Sequence, residues 1–586
     1  MKTFIASVLG GFVALILFIA FTFFSVIFFV SMATSGSTPT PRTMVLEIDL
    51  RDSISDQPAQ GAAAFFSSKS FLDILQKLDA AADDPRVSGV YIRASEFGVG
   101  HSRAEELRAA LQHLQDNDKF VIAHSQGFVG FGPSGLRAIS TADEIWLQPG
   151  TEIAVPGMTV ETLFMKDLFD NLSVTAEIEQ FYEFKNAPNV YKETDYTEAH
   201  REAMTELISD IWTISVEDIA EDRGFADINA FRIMLESGAI SAEETLSSGL
   251  VDTLSWPEEA EESAIERAGE GAALLPIASY HPMLPDADAP VIAIVGGEGA
   301  IVTGDAEPGF LNTDAIFASD RIADALLAAG RDENVRAVVF RVDSPGGSAI
   351  ASDQIWRAVK RVREDMGKPV IVSMGSVAAS GGYYVSAGAD VIMASETTIT
   401  GSIGVYGGKY AIADGLRRIG INPSTITVGG DLASAFSLET FTDTQRAEFR
   451  EGLTRVYDRF MEVVAEGREL EESRVREIAR GRVWSGVDAA QLNLVSEIGG
   501  FIDAIDKAKE LADIPGATRV RTVFYPAPAS PETIIAEMFG ASAESAEAAA
   551  RFNALMENPS VQALMEQTEA LNSRQTQMRS PVMIER

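Results

Sequence analysis

The constraint that does most to limit the fold is an internal repeat. The stretch LDAAADDPRVSGVYIRAS (78–95) returns as LLAAGRDENVRAVVFRVDS (326–344), which sets Arg93 against Arg341 at an offset of 248. DKFVIAHSQG (118–127) matches GKPVIVSMGS (367–376), and ADEIWLQPGTEI (142–153) matches ADVIMASETTIT (389–400). ISAEETLSSGLVDTL (240–254) matches WSGVDAAQLNLVSEI (484–498) at 244. A near-constant offset over about 170 residues means one structural unit is built twice. Each unit alternates short apolar runs with helical periodicity. AVVFRVD (337–343) and PVIVSM (369–374) read as buried strands. ASDQIWRAVKRVRED (351–365) between them places Ile355, Ala358, Val359 and Val362 on one helix face. That alternation predicts an α/β unit with a largely parallel sheet flanked by helices. The units fall at 43–286 and 287–530, followed by a helical tail over 531–586.

The first charged side chain after Lys2 is Arg42, and residues 3–31 are almost wholly apolar. A bilayer core needs roughly 20 such residues, and a cleaved signal sequence has a shorter apolar region of about 7–15. Residues 1–34 therefore read as an uncleaved transmembrane anchor, and 35–42 as a linker. The charge, 47 basic against 86 acidic residues, is −39. Such a surface repels phosphate backbones and argues against nucleic-acid binding. The chain has no cysteine, which excludes disulfides, thiol nucleophiles and thiolate metal sites. No metal site and no cofactor is expected.

Two loops in the second unit carry chemistry. RVDSPGGSAIASDQI (341–355) turns from strand to helix through Pro345, Gly346 and Gly347. SVAASGGYYVSAGAD (376–390) places Ser380 before Gly381 at a helix start. A backbone N–H from Gly381 paired with one from Gly346 or Gly347 would form an oxyanion hole for a carbonyl attacked by Ser380. The bland alternatives are an ordinary strand–helix turn and a small-residue helix start packed on the sheet. The first unit discriminates. Its equivalent of the serine loop, GFVGFGPSGLRA (127–138), places Pro133 opposite Ser380, and SEFGVG (95–100) lacks the Pro-Gly-Gly turn.

A serine hydroxyl needs a base. The five histidines, His101, His113, His124, His200 and His281, all precede the second unit. A lysine whose pKa is lowered by burial can do the work instead. YEFKNAPNVYKETDYTEAHREAM (182–204) contains Lys185, and the matching stretch of the second unit, 428–449, has no lysine there. Serine kept in one unit and lysine in the other is the pattern of a single composite site. Lys409 is the rival base by proximity in sequence.

With DSPGGS (343–348), SVAASGGYY (376–384), TITGSIGVYG (398–407) and FKNAPNVYKE (184–193), the chain resembles the long, tandem-repeat form of the signal peptide peptidase A family, in the Clp protease/crotonase superfamily. The resemblance spans about 2–530. It implies two tandem Clp/crotonase-like repeats behind an N-terminal transmembrane helix. It implies a Ser/Lys dyad of Ser380 and Lys185, with Ser402 orienting the lysine and Gly346, Gly347 and Gly381 at the oxyanion hole. It further implies a homo-oligomer, a tetramer in the family. The expected place is the bacterial inner membrane, single-pass, with the body on the periplasmic side. The implied substrates are signal peptides and other apolar peptides left after signal peptidase. The lysine loop departs from the family's Tyr-Lys-Ser-Ala pattern, reading Phe184-Lys185-Asn186-Ala187 here. An acyl-CoA enzyme of crotonase type and a non-catalytic membrane scaffold are the competing readings.

Overall fold

The structure is a computed structural model describing residues 41–526, apart from 53, 59–69, 130–131 and 306–315. The expected anchor over 3–31 and the expected helical tail over 531–586 lie outside the described residues. Among the described residues no helix is long and apolar enough to cross a membrane.

Two sheets with the same strand order form the body. The first runs Ala273–Pro276, Met44–Asp49, Val87–Arg93, Phe120–Ser125, Glu144–Leu147, Thr253–Leu254. The second runs Arg521–Tyr525, Val291–Glu298, Val335–Ser344, Val370–Ala379, Val391–Ala394, Glu497–Ile498. All neighbours in both paths are parallel. The fold is therefore a mixed α/β architecture with parallel sheets. Each half also has a smaller three-stranded layer. In the second half the end of Val370–Ala379 pairs in parallel with Ile399–Gly401, which pairs antiparallel with Val483–Ser485. Phe128–Val129, Glu152–Ala154 and Ile240–Ser241 repeat this in the first half.

Parallel strands buried on both faces read as continuous apolar runs, and Val335–Ser344 shows why. Ala337 and Val339 enter one core, which holds most of the first half together with the helix Phe501–Leu511. Val338 and Phe340 enter the other, beneath the helices Ser319–Arg331 and Ala349–Lys360. Each such valine or phenylalanine taken from water contributes roughly 1.5–3 kcal/mol. Ile355, Ala358, Val359 and Val362 are all buried in this second core. The helix ends at Lys360 in a π-turn, Arg361–Asp365, instead of running straight to 365.

The halves are joined by charge as well as by apolar contact. Arg341, fully buried, donates to Asp56 and Glu106, both from the first half. Glu106 also accepts the N–H of Phe501 at 2.8 Å. Two carboxylates on one guanidinium satisfy most of its donors, which a buried charge requires. The second link is a two-stranded antiparallel ladder, Tyr406–Ala411 on Thr175–Gln180. It leads the chain directly into the loop that contains Lys185.

Candidate active site

Ser380 ends the strand Val370–Ala379 and caps the helix Gly381–Ser386. Its backbone lies at φ 53°, ψ −114°, a conformation L-residues seldom adopt. The turn is held by the Ser380 N–H to the Gly401 carbonyl at 2.9 Å and by the Tyr384 N–H to the Ser380 carbonyl at 2.9 Å. The sharp reversal leaves the hydroxyl at the end of the sheet, half-exposed. The helix is a turn and a half long, so its contribution comes from local N–H groups more than from a macrodipole. In the first half the corresponding helix, Ser134–Arg137, is capped by Pro133, which has no hydroxyl and no N–H to offer.

The glycine turn lies against this cap. An atom at the Cβ position of Gly346 (φ 101°) would stand 2.6 Å from the Gly381 nitrogen, and one on Gly381 would stand 3.1 Å from the Gly347 nitrogen. Only glycine permits both the conformation and the approach. The Gly346 N–H is already committed, donating to Ser344 Oγ at 3.1 Å. The Gly346 carbonyl accepts from Ile301 N–H, and Ser348 N–H donates to the Ile301 carbonyl. Among the described residues the N–H groups of Gly347 and Gly381 have no such partner. Of the three glycines, these two have donors free for an oxyanion.

Lys185 reaches this point from the first half. The antiparallel ladder brings its loop across, and Gly481 backs it from behind (φ 83°). A Cβ at Gly481 would come within 2.6–2.7 Å of Lys185 N, Cα and Cβ. Lys185 is 3% exposed, and its Nζ stands 3.1 Å from Ser380 Oγ, 2.8 Å from the Ser402 carbonyl and 3.0 Å from Ser402 Oγ. Ser402 is fixed by its N–H to the Arg482 carbonyl at 2.7 Å, again with a positive φ of 50°. Among the described residues no carboxylate faces the lysine to offset its burial, and desolvation alone pulls its pKa from 10.5 to about 7. Neutral, the amine has two N–H donors and one lone pair. Two contacts with Ser402 and one with the Ser380 hydroxyl match that inventory.

The structure thus brings Ser380, Lys185, Ser402, Gly346, Gly347 and Gly381 to one place. It brings neither of the other nearby lysines there. Lys409 donates to the carbonyls of Ala435 and Ser437, and Lys192 to Gln180 Oε1 at 3.1 Å. Two supporting residues have no clear mark in the sequence. Gly481 stands in the unremarkable run ARGRVWS. Asp343, just before the glycine turn, accepts the Val377 N–H at 3.0 Å, so it ties the turn to the serine strand. Burial, with the neighbouring charge of Asp56, raises its carboxyl to about 7. Its place in DSPGGS was the only available signal.

Comparison with known proteins settles the family. The sequence model of Peptidase family S49 matches residues 133–270 and 362–515, one stretch in each half. The chain is 32% identical to Protease 4 of Haemophilus influenzae over 465 residues, 76% of this chain and 73% of that one. The chain belongs to peptidase family S49. This S49 member is also 29% identical to the chloroplastic serine protease SPPA of Arabidopsis thaliana, over 82% of this chain and 71% of that one. It is 29% identical to Protease 4 of Salmonella typhi, over 82% and 80%. As an S49 peptidase the chain is a serine protease, and neither the acyl-CoA enzyme nor the non-catalytic scaffold finds support in these relatives.

Proposed function

We propose that the chain is a membrane-anchored endopeptidase that degrades signal peptides and other apolar peptides, with Ser380 as nucleophile and Lys185 as general base. One observation carries the reading. A lysine whose burial is offset by no carboxylate among the described residues contacts Ser380, the serine that follows the strand Val370–Ala379 beside two free N–H donors. Neutral Lys185 takes the proton from Ser380 Oγ as the oxygen adds to the scissile carbonyl. The tetrahedral oxyanion is held by the Gly347 and Gly381 N–H groups, each such donor being worth about 3–4 kcal/mol. As the carbon–nitrogen bond breaks, the ammonium returns its proton to the leaving amine and the acyl-serine remains. Lys185 then takes a proton from water, hydroxide adds to the acyl carbon, and collapse restores the Ser380 hydroxyl.

Signal peptides as the substrate class are supported by a relative of Enterococcus faecium that carries the name signal peptide peptidase SppA, 34% identical over 187 residues. Signal peptides carry a positive leading region and an apolar middle, and a surface with a formal charge of −39 attracts the former. The apolar run 3–31 would hold the body at the periplasmic face of the inner membrane, where released signal peptides lie. The enzyme would work there as a homo-oligomer. The test is hydrolysis of a synthetic signal peptide by the full chain in detergent. Wild type cleaves it and Ser380→Ala does not. Cleavage by Ser380→Ala at the wild-type rate would overturn the assignment.

A further inference from the structure

The joint between the halves has a second, unused copy. In the joint itself Tyr406 stands opposite Gln180 and Ala411 opposite Thr175. The Phe181 N–H donates to the Val405 carbonyl at 3.0 Å, which fixes the alternation along the ladder. Pairs 407/179 and 409/177 exchange hydrogen bonds, and pairs 406/180, 408/178 and 410/176 do not.

Both halves contain both pieces of this joint. The arm 406–411 leads into the helix Ala413–Arg418, and its counterpart in the first half is the helix Lys166–Leu172. The residues before them match in conformation, Ile412 at φ −107°, ψ 1° and Met165 at φ −104°, ψ 6°. Gly420 (φ 86°) and Ser173 (φ 52°) both turn left-handed after the helix. Ile421 N–H then bonds the Leu416 carbonyl as Val174 N–H bonds that of Phe169. Every one of these pairs is 247 residues apart. At that spacing the arm 406–411 corresponds to 159–164, and the receiving strand 175–180 corresponds to 422–427.

Neither counterpart is paired. Both lie outside any helix or strand, and among the described residues the backbone of 422–428 makes no hydrogen bond. Both expose large apolar side chains, Leu163 at 61%, Ile426 at 95% and Val428 at 91%. An open strand edge of this kind is a template for another chain.

We propose that residues 422–427 receive residues 159–164 of a second copy of this chain, antiparallel, with Thr159 opposite Thr427 and Phe164 opposite Asn422. The proposal rests on the homo-oligomeric reading above and gives it a surface. Pro423 is an independent check on the register. It corresponds to Ala176, whose N–H points away from the arm because 410/176 is a non-hydrogen-bonded pair. A proline there removes no ladder bond, whereas a shift of one residue would put its missing N–H in the ladder. The Val160 carbonyl, which accepts the Tyr196 hydroxyl at 3.3 Å within the chain, has a second lone pair for the ladder. The giving segment is in the first half and the receiving one in the second, so the contact is head to tail. A head-to-tail contact of this kind builds a ring where its rotation closes.

The absence of cysteine makes the test clean. Glu161 and Thr425 would form a non-hydrogen-bonded pair with Cα atoms about 4.5 Å apart, within disulfide reach. The full chain carrying Glu161→Cys and Thr425→Cys, oxidised in detergent, should give a ladder of covalent multimers longer than the dimer. A mixture of the two single variants should stop at dimers. The neighbouring pair Glu161→Cys with Ile426→Cys, on opposite faces, should cross-link several-fold more slowly. Absence of multimers from the first pair, or equal cross-linking of the second, overturns this pairing while an oligomeric native mass of the wild type would leave the oligomer itself standing. A monomeric native mass overturns both.

Discussion

The Lys185 amine meets the Ser380 hydroxyl at 3.1 Å across 195 residues of sequence, one group from each half of a duplicated chain. The contact exists because the ladder of 406–411 on 175–180 carries the lysine loop over. Anything that displaces that loop should therefore act on catalysis before it acts on folding.

Gly481→Ala is the sharpest case. The new methyl would stand within 2.6–2.7 Å of the Lys185 backbone and Cβ, at a φ of 83°. The lysine must move, and a misplacement of about 1 Å can cost on the order of 10²-fold in rate. Peptide hydrolysis should fall by about that factor while thermal unfolding shows a loss of about 1–2 kcal/mol. Activity near wild type would mean that the lysine position is not critical.

Ser402→Ala removes one acceptor at 3.0 Å and leaves the carbonyl contact at 2.8 Å. The lysine should keep its place but lose orientation, with kcat lowered roughly 10–100-fold and KM little changed. Steady-state kinetics on a synthetic peptide checks this, and Ser402→Thr should recover part of the loss. An effect on KM alone would assign Ser402 to substrate binding instead.

Much of this was legible in the sequence, for reasons the structure makes plain. The duplicated sheets follow from the constant offset, because buried parallel strands tolerate little but apolar residues and keep their pattern. Ser380 and the glycine turn are visible because strained backbone and close approach demand glycine or a small residue. Lys185 is visible by complementarity, since the other half has no lysine in that loop. The ladder that delivers it is not. YGGKYA (406–411) and TAEIEQ (175–180) lack the alternation of a half-buried strand, and their pairing is set by tertiary context. Gly481 escapes for the same reason, its neighbour being almost 300 residues away.

Lys185 should also leave a mark on stability. Its folded pKa is about 7 against 10.5 unfolded. Between those values the unfolded chain binds more protons, so stability rises with pH across that window and is lost as pH falls through about 7. The full penalty below pH 7 is on the order of 3–5 kcal/mol. Lys185→Met should therefore melt higher than wild type at pH 6, and the gap should close toward pH 10. A gap independent of pH would mean that the lysine is not buried as a charge.

Arg341→Met tests the link between the halves. It leaves Asp56 and Glu106 without their buried cation, a loss of about 3–5 kcal/mol. A lowered unfolding midpoint in denaturant is expected. Little change would place the stability of the joint in its apolar contacts.

The central claim is that Ser380 is activated by a neutral Lys185, and covalent labelling of Ser380 by a fluorophosphonate as a function of pH tests it most directly. The account predicts a labelling rate that rises about tenfold per pH unit below 7 and levels off above it, with Lys185→Met slowed by on the order of 10²–10⁴-fold and Lys192→Ala close to wild type. Labelling of Lys185→Met at the wild-type rate, or a wild-type rate still climbing toward pH 10, would contradict it.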